Sequence, residues 1–327
     1  MRVLIMGAAG MVGQKLLNRI LSGESGIDNS SELYLHDIVP AHVPSGADGC
    51  SVLVGNVADP AEAKKLADLK PDLIFHLASI VSGEAELEFE KGWQINMSGA
   101  WSLLEALRVH HDQSGGSYRP KLIFTSSIAV FGAPFPARIT DEFFCTPQTS
   151  YGAQKAIVEL LLSDYSRKGF IDALSIRLPT ICVRPGKPNL AASSFFSGII
   201  REPLNGVEAI LPVSDDVRHW HASPRSAAQF LTHAATLDLD ALGSRRALNM
   251  PGVSCTVAEQ IEALRSVAGN DVVKLIKPEL DERIVKIVAG WPRDFQTDRA
   301  HSFGFKSETN FEQIIRIYLE DDLPKVS

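Results

Sequence analysis

The sequence predicts an α/β protein built on a doubly wound parallel Rossmann sheet, followed by a smaller C-terminal substrate-binding domain. Three observations support this fold class. Short apolar strands alternate with helices as far as Pro179, a glycine-rich turn joins the first strand to the first helix, and the alternation degrades beyond Thr180. Strands that are apolar throughout are typical of a parallel sheet that helices cover on both faces.

The elements follow one another in order along the chain. Apolar runs predict strands at residues 3–6, 32–36, 50–57, 72–79, 121–127 and 172–179. Helical periodicity predicts helices at 14–21, 62–69, 93–111 and 151–166, and a later helix at 256–269 with Thr256 as N-cap and Glu259 closing a capping box. We therefore expect a nucleotide-binding domain over residues 1–178, with a return segment around 219–250, and a mostly substrate-binding domain over 179–327.

Composition limits the function classes. The 327 residues are 45% hydrophobic and 22% charged, as in ordinary globular proteins, and the net charge of -7 disfavours a nucleic-acid or anionic-membrane surface. No apolar run approaches the length of a membrane span, and the apolar N-terminus predicts a strand rather than a signal peptide. The four cysteines are far apart, which favours buried thiols in a reducing cytoplasm.

The stretch "GAAGMVG" carries the first chemical signal. Gly7 permits a tight turn, Gly10 lets the backbone approach a pyrophosphate, and Gly13 lets the helix pack against the strand. The amides of the intervening Met11 and Val12 complete this predicted phosphate site. A merely flexible turn is the alternative, but the strand before it and the helix after it favour dinucleotide binding.

An acidic residue then predicts which dinucleotide binds. Asp37 ends the second strand, where a carboxylate accepts the adenosine ribose hydroxyls and repels a 2′-phosphate, so we expect NAD rather than NADP. Later strand ends supply further candidate contacts. These are Asn56 and Val57 near the adenine, and Leu77 and Ala78 near the second ribose.

Three polar residues predict the reaction. Tyr151 and Lys155 share a helix face, and Ser127 ends the fifth strand. In an alcohol oxidation, the Tyr151 phenolate would take the hydroxyl proton while the Lys155 ammonium stabilises the phenolate. Ser127 would bind the reacting oxygen. The Tyr151–Lys155 spacing alone is equally typical of two solvated side chains, so the prediction depends on the nucleotide-binding context.

These motifs together resemble the extended short-chain dehydrogenase/reductases. The resemblance spans most of the chain through GAAGMVG, Asp37, "HLAS", "INMSGAWSLLEA", "SSIAVFG", "YGAQK" and "RLPTICVRPG". It implies that Pro179, Thr180 and Ile181 contact the nicotinamide and that Asn96 helps to order the active site through a backbone interaction. A solvent-facing amide is the alternative for Asn96.

Departures from the family pattern narrow the range of expected substrates. Val130-Phe131-Gly132 replaces a usual Val-Tyr-Gly, and Arg177-Leu178-Pro179-Thr180 lacks the aromatic and amide residues of nucleotide-sugar enzymes. The chain looks most like the branch that oxidises the C2 hydroxyl of a four-carbon sugar acid. A dehydrogenase of uronates or other small polyols, and an epimerase or dehydratase that retains NAD, stay open. A regulatory protein that has lost turnover is disfavoured by the intact Ser127, Tyr151 and Lys155.

A sugar acid requires donors for its carboxylate, because an unpaired charge in a partly dry pocket is costly. Arg184 and Arg218 are the charged candidates, with Arg184 favoured because it follows the nicotinamide-contacting segment. The neutral alternatives are Asn189, Ser193 and His221. The residues expected near the reacting carbon and its oxygen are Ser79, Ser127 and Tyr151. His219 and His221 could share a strand face as metal ligands, but the sequence offers no third ligand, so we expect no metal.

The resemblance also implies a homodimer, with helices 93–111 and 151–166 forming its interface. Their apolar residues are candidates for that surface, and burial inside the monomer is the alternative. The residues are Leu103, Leu104, Leu107, Ile157, Leu160 and Leu161.

Overall fold

The computed structural model describes residues 1–28, 30–186 and 192–323. Its strands, in chain order, are β1 (Arg2–Met6), β2 (Glu32–Asp37), β3 (Cys50–Val54), β4 (Leu73–His76), β5 (Lys121–Ser127), β6 (Asp172–Leu178), β7 (Thr180–Ile181), β8 (Ala209–Leu211), β9 (Arg218–Ala222), β10 (Ala247–Asn249), β11 (Val253–Thr256) and β12 (Ile276–Pro278). Its α-helices are α1 (Met11–Leu21), α2 (Pro60–Asp68), α3 (Ser82–Leu87), α4 (Phe89–Trp93), α5 (Gly99–Gln113), α6 (Ser150–Arg167), α7 (Ser194–Leu204), α8 (Pro224–Thr236), α9 (Val257–Ala268), α10 (Asn270–Val273), α11 (Glu282–Ala289), α12 (Asp298–Ser302) and α13 (Phe311–Asp321).

The central sheet confirms the predicted fold class. Across the described residues its strand order is β10-β6-β5-β4-β1-β2-β3. Strand β1 pairs in parallel with both β2 and β4, and the pairs β2–β3 and β4–β5 are also parallel. The chain therefore winds outward from β1 in both directions. The carboxyl ends of β1 and β4 flank the switch point, which is where open α/β sheets bind ligands.

The chain packs as two compact units. Unit 1 comprises Met1–Val130, Thr149–Arg177 and Ala228–Leu248, and unit 2 comprises Phe131–Gln148, Leu178–Ala227 and the described residues from Asn249 onward. The sequence had placed residues 131–148 in the nucleotide-binding domain, and the structure corrects this. Ile139 donates a backbone hydrogen bond to Asp294 (2.9 Å) and accepts one from Gln296 (2.8 Å), so a distant pairing within unit 2 holds this segment.

Several predicted boundaries shift by a few residues. Helix α1 begins at Met11 rather than at residue 14, because Gly10 adopts an extended N-cap conformation (φ -69°, ψ 162°) directly before it. Strands β3 and β4 end at Val54 and His76, earlier than predicted. The helix predicted at 93–111 is interrupted by a π-helical turn over residues 94–98, and regular α-helix resumes at Gly99.

The core of unit 1 corrects part of the expected dimer interface. Leu103, Leu104 and Leu107 of α5 are at most 1% exposed and pack among side chains of the central sheet, such as those of Leu4 and Phe124. These leucines fill the monomer and are not available to a partner. Leu160 of α6, by contrast, is 72% exposed.

Unit 2 contains a three-stranded sheet in the order β11-β9-β7 and a parallel pair formed by β8 and β12. Its core includes Phe196 of α7 and Leu264 of α9. The predicted capping box of α9 is confirmed, since the Thr256 hydroxyl accepts from the Glu259 amide (3.1 Å) and the Glu259 carboxylate accepts from the Thr256 amide (2.6 Å). Over the described part of the chain, no helix is both long and apolar enough to cross a bilayer.

Candidate active site

The glycine loop brings β1, α1 and the end of β4 into close contact. Gly7 has a φ of +87°, and a Cβ atom there would lie 2.7 Å from the amide nitrogen of Ala78. A Cβ atom on Gly13 would lie 2.2 Å from the Gly7 carbonyl oxygen. A Cβ on Gly10 would meet nothing nearer than 3.4 Å, and this residue is exposed. Gly7 and Gly13 are thus required for packing, and Gly10 leaves the loop surface open for a ligand.

The N-terminus of α1 fits a pyrophosphate. Gly10 supplies no side-chain cap, and the first turn of the helix contains no acidic residue. The first amides, including those of Met11 and Val12, therefore keep their donor capacity and carry the positive end of the helix dipole. An anion satisfies both requirements at once, so this cradle fits a dinucleotide.

Asp37 is oriented by the same loop. Its Oδ2 atom accepts a hydrogen bond from the Ala9 amide (2.9 Å), and its Oδ1 atom accepts one from the Ile38 amide (2.7 Å). The carboxylate is half-buried at the end of β2, and each oxygen retains acceptor capacity. This arrangement can receive two ribose hydroxyls and disfavours an additional phosphate.

The other expected adenosine contacts lie at neighbouring strand ends. Asn56 is exposed, and its side-chain oxygen accepts from the Ala58 amide (3.0 Å), which fixes the turn after β3. Val57 is half-buried, as are Leu77 and Ala78 after β4. The Leu77 amide donates to the Met6 carbonyl oxygen (2.8 Å), so the end of β4 stays in line with the glycine loop.

Helix α6 places Tyr151 and Lys155 together, as predicted. The helix begins at Ser150 because the Thr149 hydroxyl accepts from the Gly152 amide (3.1 Å). Lys155 is 1% exposed, and its Nζ atom donates to the Thr125 carbonyl oxygen (2.8 Å). The same atom lies 5.5 Å from the centroid of the half-buried Tyr151 ring.

Burial changes the chemistry of this lysine. It lowers the pKa of Lys155 to about 7, whereas the Glu159 carboxylate acts in the opposite direction. The ammonium is also 4.6 Å from the centroid of the Phe124 ring, which attracts a cation. Lys155 can therefore gain and lose its proton near neutral pH while it contacts the Tyr151 ring.

Ser127 ends β5 on the same part of the sheet. Its half-buried hydroxyl oxygen accepts from the Ala129 amide (3.1 Å), which leaves the hydroxyl proton available to donate. The contact between Lys155 and the Thr125 carbonyl ties α6 to β5 two residues before Ser127. One hydrogen-bond donor and one acid/base pair thus come from adjacent elements of unit 1.

Asn96 occupies the π-helical turn before α5 and is 1% exposed, so a solvent-facing amide is wrong. Its Oδ1 atom accepts from the Ile80 amide (2.8 Å), and its Nδ2 atom donates to the Gln154 side-chain oxygen (2.8 Å). Both ends of its amide are engaged. Asn96 thus makes a backbone interaction of the kind that the family resemblance implies, and it holds the chain after Ser79 against α6.

Unit 2 holds the three residues expected at the nicotinamide. Pro179 and Ile181 are buried, and Thr180 begins β7, which pairs with β9 in the register Thr180–His221. The Thr180 hydroxyl is hydrogen-bonded to Nε2 of His219 (2.7 Å). The backbone of this segment is thereby fixed within its own unit.

The two candidate arginines differ in their partners. Arg184 is half-buried, and its guanidinium donates to the Ile181 carbonyl oxygen (2.9 Å) and the Ser193 hydroxyl (3.1 Å). Arg218 is 38% exposed at its side chain and forms an ion pair with Glu259 (3.1 Å) at the start of α9. These two partners of Arg184 are neutral, whereas Arg218 is paired with a carboxylate. Asn189 lies outside the described residues.

The structure corrects the prediction that His221 contacts the substrate. Its side chain has no exposed surface, and its ring lies edge-on to Phe196 and Phe311 in the core of unit 2. Its Nε2 atom is paired with the Gln260 amide (2.9 Å). Among the residues that the structure describes, no three His, Cys, Asp or Glu side chains converge as they would around a metal ion. His221 and the other buried side chains of β9 therefore pack into the core of unit 2.

Sequence reasoning missed the residues behind Lys155. Ser126 of β5 donates to Glu159 (2.5 Å), and Arg177 of β6 binds the same carboxylate through three hydrogen bonds of 2.7–3.2 Å. Gln154, which is buried, links Asn96 to α6. A glutamate one turn beyond Lys155 on a buried helix face was the available signal, since such a charge requires a partner.

The chain is similar to known proteins over most of its length. A sequence profile of the NAD dependent epimerase/dehydratase family matches residues 3–230. D-erythronate dehydrogenase from Cupriavidus necator is 45% identical over 328 residues, 98% of each chain, and that from Haemophilus influenzae is 40% identical over 323 residues, 99% of this chain and 100% of the relative. A crystal structure described as the nucleoside-diphosphate-sugar epimerase from Agrobacterium tumefaciens is 52% identical, with a TM-score of 0.93 over 99% of this chain and 94% of that chain.

Proposed function

This chain belongs to the NAD dependent epimerase/dehydratase family, and on that premise we propose that it oxidises the C2 hydroxyl of D-erythronate to the 2-oxo acid with NAD. The observation that carries the proposal is the identity of 45% and 40%, over nearly the full length, to two D-erythronate dehydrogenases. The motifs "SSIAVFGAPFPARITDEF" and "HWHASPRSA" resemble the same enzymes. The chain is thus an NAD-dependent oxidoreductase with a small-molecule substrate.

The proposed cofactor residues are those expected from the sequence motifs and the family resemblance. The pyrophosphate would lie on Gly7, Gly10, Met11, Val12 and Gly13, the adenosine on Asp37, Asn56 and Val57, and the nicotinamide half on Leu77, Ala78, Tyr151, Lys155, Pro179, Thr180 and Ile181. When bound, NAD supplies the acceptor for the hydride that leaves C2. The uncapped start of α1 and the acceptors of Asp37 support this assignment.

The proton has a separate route. As C2 loses its hydride, the Tyr151 phenolate takes the proton of the C2 hydroxyl, and the carbonyl double bond forms. The Lys155 ammonium favours the phenolate, because opposite charges in a water-poor site attract strongly. Ser127 donates its hydroxyl proton to the reacting oxygen, which carries partial negative charge in the transition state.

The substrate carboxylate would be bound by Arg184. A guanidinium binds a carboxylate with two parallel hydrogen bonds, and Arg184 is already held by Ile181 and Ser193 in a half-buried position. Ser79, whose hydroxyl donates only weakly to the Ile80 carbonyl (3.3 Å), is a candidate for the hydroxyl groups of the substrate. An acid is therefore a better substrate for these residues than a neutral polyol.

A panel of substrates tests the proposal. Purified protein would be incubated with NAD and with D-erythronate, its epimers, uronates and neutral polyols, and the formation of NADH would be followed. D-erythronate should give the highest kcat/KM. A uronate or polyol that exceeds it would replace D-erythronate as the substrate and keep the reaction type.

A second candidate function is epimerisation or dehydration of a nucleotide sugar, in which NAD is retained. The 52% identity to the Agrobacterium tumefaciens structure favours it. A retained cofactor that co-purifies with the protein, together with conversion of a nucleotide sugar and no net NADH, would support this candidate over the dehydrogenase.

A homodimer in the cytoplasm is also proposed. The helices expected at its interface expose large apolar side chains that the core does not use, namely Trp101 of α5 (51% exposed) and Leu160 of α6 (72% exposed). Burial of such side chains by a second copy would lower the free energy of the dimer. Sedimentation as a monomer at micromolar concentration would contradict the dimer.

A further inference from the structure

A buried charged pair lies one helical turn beyond the catalytic lysine. Glu159 and Arg177 are only 6% and 12% exposed at their side chains, and their closest contact is 2.7 Å. Arg177 donates two hydrogen bonds to Oε2 of the carboxylate and one to Oε1. Ser126 donates to Oε1 as well (2.5 Å), so both oxygens have strong donors.

The position of Glu159 on the helix bears on which group pairs with Lys155. Residues i and i+4 of a helix are neighbours, so Glu159 is the natural ion-pair partner of Lys155. The structure shows a different partner for each. Glu159 is engaged by Ser126 and Arg177, and Lys155 donates to the Thr125 carbonyl beside the Tyr151 ring.

We propose that Glu159 and Arg177 are positioning residues for Lys155: Arg177 and Ser126 bind the Glu159 carboxylate, Arg177 balances its charge, and the lysine is thereby kept at Thr125 and Tyr151. This inference rests on the proposed Tyr151–Lys155 reaction. An unpaired Glu159 would attract the ammonium away from the Tyr151 ring and hold its proton more tightly. An unpaired Arg177 would repel the ammonium and weaken its hold on the proton.

Few other charges face Lys155 in the described residues. From β4, His76 is 2% exposed, and burial followed by the charge of Lys155 lowers the pKa of His76 to about 3, so this ring is neutral in the working pH range. From β5, the facing groups are the Phe124 ring and the Thr125 carbonyl. On α6 they are Tyr151 and Glu159. Apart from its burial, the charge state of Lys155 therefore depends on the balance between Glu159 and Arg177.

The first test measures Lys155 without any substrate. The pH titration of its 13Cε chemical shift would be followed in lysine-labelled protein and assigned with Lys155→Met. Glu159→Gln should shift the Lys155 midpoint to lower pH by about one unit, and Arg177→Met should shift it to higher pH by about one unit. The double variant Glu159→Gln/Arg177→Met should return it close to the parent value, because the surroundings are neutral again.

Two further variants keep the test decisive. Arg177→Lys retains the charge and should titrate like the parent. Asp164→Asn removes a carboxylate from the same helix, where it pairs with Arg167 in solvent (2.6 Å), and should leave Lys155 unchanged. If Arg177→Met fails to fold, Glu159→Gln and the double variant still discriminate, since a buried pair can be replaced as a whole at little cost.

The second test uses the reaction. In Glu159→Gln the acidic limb of the pH profile of kcat/KM should move to higher pH than in the parent. In the double variant it should return to the position that it has in the parent. The inference would be overturned if the Lys155 midpoint did not move, or if it moved in the same direction in both single variants. A midpoint that stays shifted in the double variant would overturn it as well. Absence of NADH formation by the parent enzyme would instead refute the proposed function, while the titration of Lys155 would still test the pair.

Discussion

The Nζ atom of Lys155 lies 5.5 Å from the centroid of the Tyr151 ring while it donates a hydrogen bond to the Thr125 carbonyl oxygen (2.8 Å). The lysine is thus held by the sheet on one side and by the tyrosine ring on the other. Its burial lowers its pKa to about 7, so its charge changes near neutrality. This relationship makes the acid/base role of Tyr151 testable in several independent ways.

Removal of the phenol oxygen should abolish turnover and leave cofactor binding intact. Tyr151→Phe keeps the ring that packs beside Lys155 and loses only the group that takes the proton, so kcat should fall by about 10³-fold. The dissociation constant for NAD, measured by calorimetry, should stay within twofold of the parent. A variant that retains more than about a tenth of the parent kcat would show that another group takes the proton.

The buried lysine should make folding stability depend on pH. Its pKa is about 7 in the folded protein and 10.5 in the unfolded chain, so the unfolded chain binds more protons between these values. The contribution of Lys155 to stability therefore rises as pH increases from about 7 to 10.5. The free energy of unfolding of Lys155→Met and of the parent would be measured with urea. The variant should be most stable relative to the parent at pH 6, and this difference should shrink by pH 9. A difference that is constant with pH would contradict the lowered pKa.

Neutralising the acid at the end of β2 should change the choice of cofactor. Asp37→Asn retains an oxygen for the Ala9 amide but removes the charge, so NAD binding should weaken by about tenfold and discrimination against NADP should fall. The measurement is kcat/KM with each cofactor at a saturating concentration of substrate. An unchanged ratio would mean that the ribose is recognised elsewhere.

Truncating the proposed carboxylate ligand should affect the substrate alone. Arg184→Ala should raise the KM for D-erythronate by about ten- to a hundredfold and leave the dissociation constant of NAD unchanged, because a charge-assisted bond is lost. Arg184→Lys should restore little, since an ammonium does not reproduce the paired contact. Arg218→Ala serves as the control, because Arg218 pairs with Glu259. A larger effect at Arg218 than at Arg184 would reverse the assignment.

The glycine loop offers a matched pair of stability tests. In Gly13→Ala the new methyl group would lie 2.2 Å from the Gly7 carbonyl oxygen, so the free energy of unfolding should fall by about 2 kcal/mol or more. In Gly10→Ala the nearest atom is 3.4 Å away, so stability should hardly change while NAD binding weakens. Urea denaturation and calorimetry separate these outcomes. Equal loss of stability in both variants would contradict the packing role assigned to Gly13.

Much of this protein follows from local sequence. Alternating apolar strands and helices specify the doubly wound sheet, because each buried run needs a partner on both faces. The strand-to-helix position of Gly7, Gly10 and Gly13 specifies the phosphate loop, since a Cβ atom on Gly7 or Gly13 would lie only 2.7 Å or 2.2 Å from a neighbouring backbone atom. The four-residue spacing of Tyr151 and Lys155 places them on one helix face, as found.

Only the tertiary structure decided the rest, because long-range contacts have no local periodicity. The pairing of Ile139 with Phe295 assigns residues 131–148 to unit 2. The burial of Leu103 and of His221 depends on elements that pack against them from elsewhere in the chain, so an apolar stripe or a histidine pair could not reveal which side is covered. The ion pair of Glu159 with Arg177 (2.7 Å) joins α6 to β6, and no local pattern in the sequence specifies that contact.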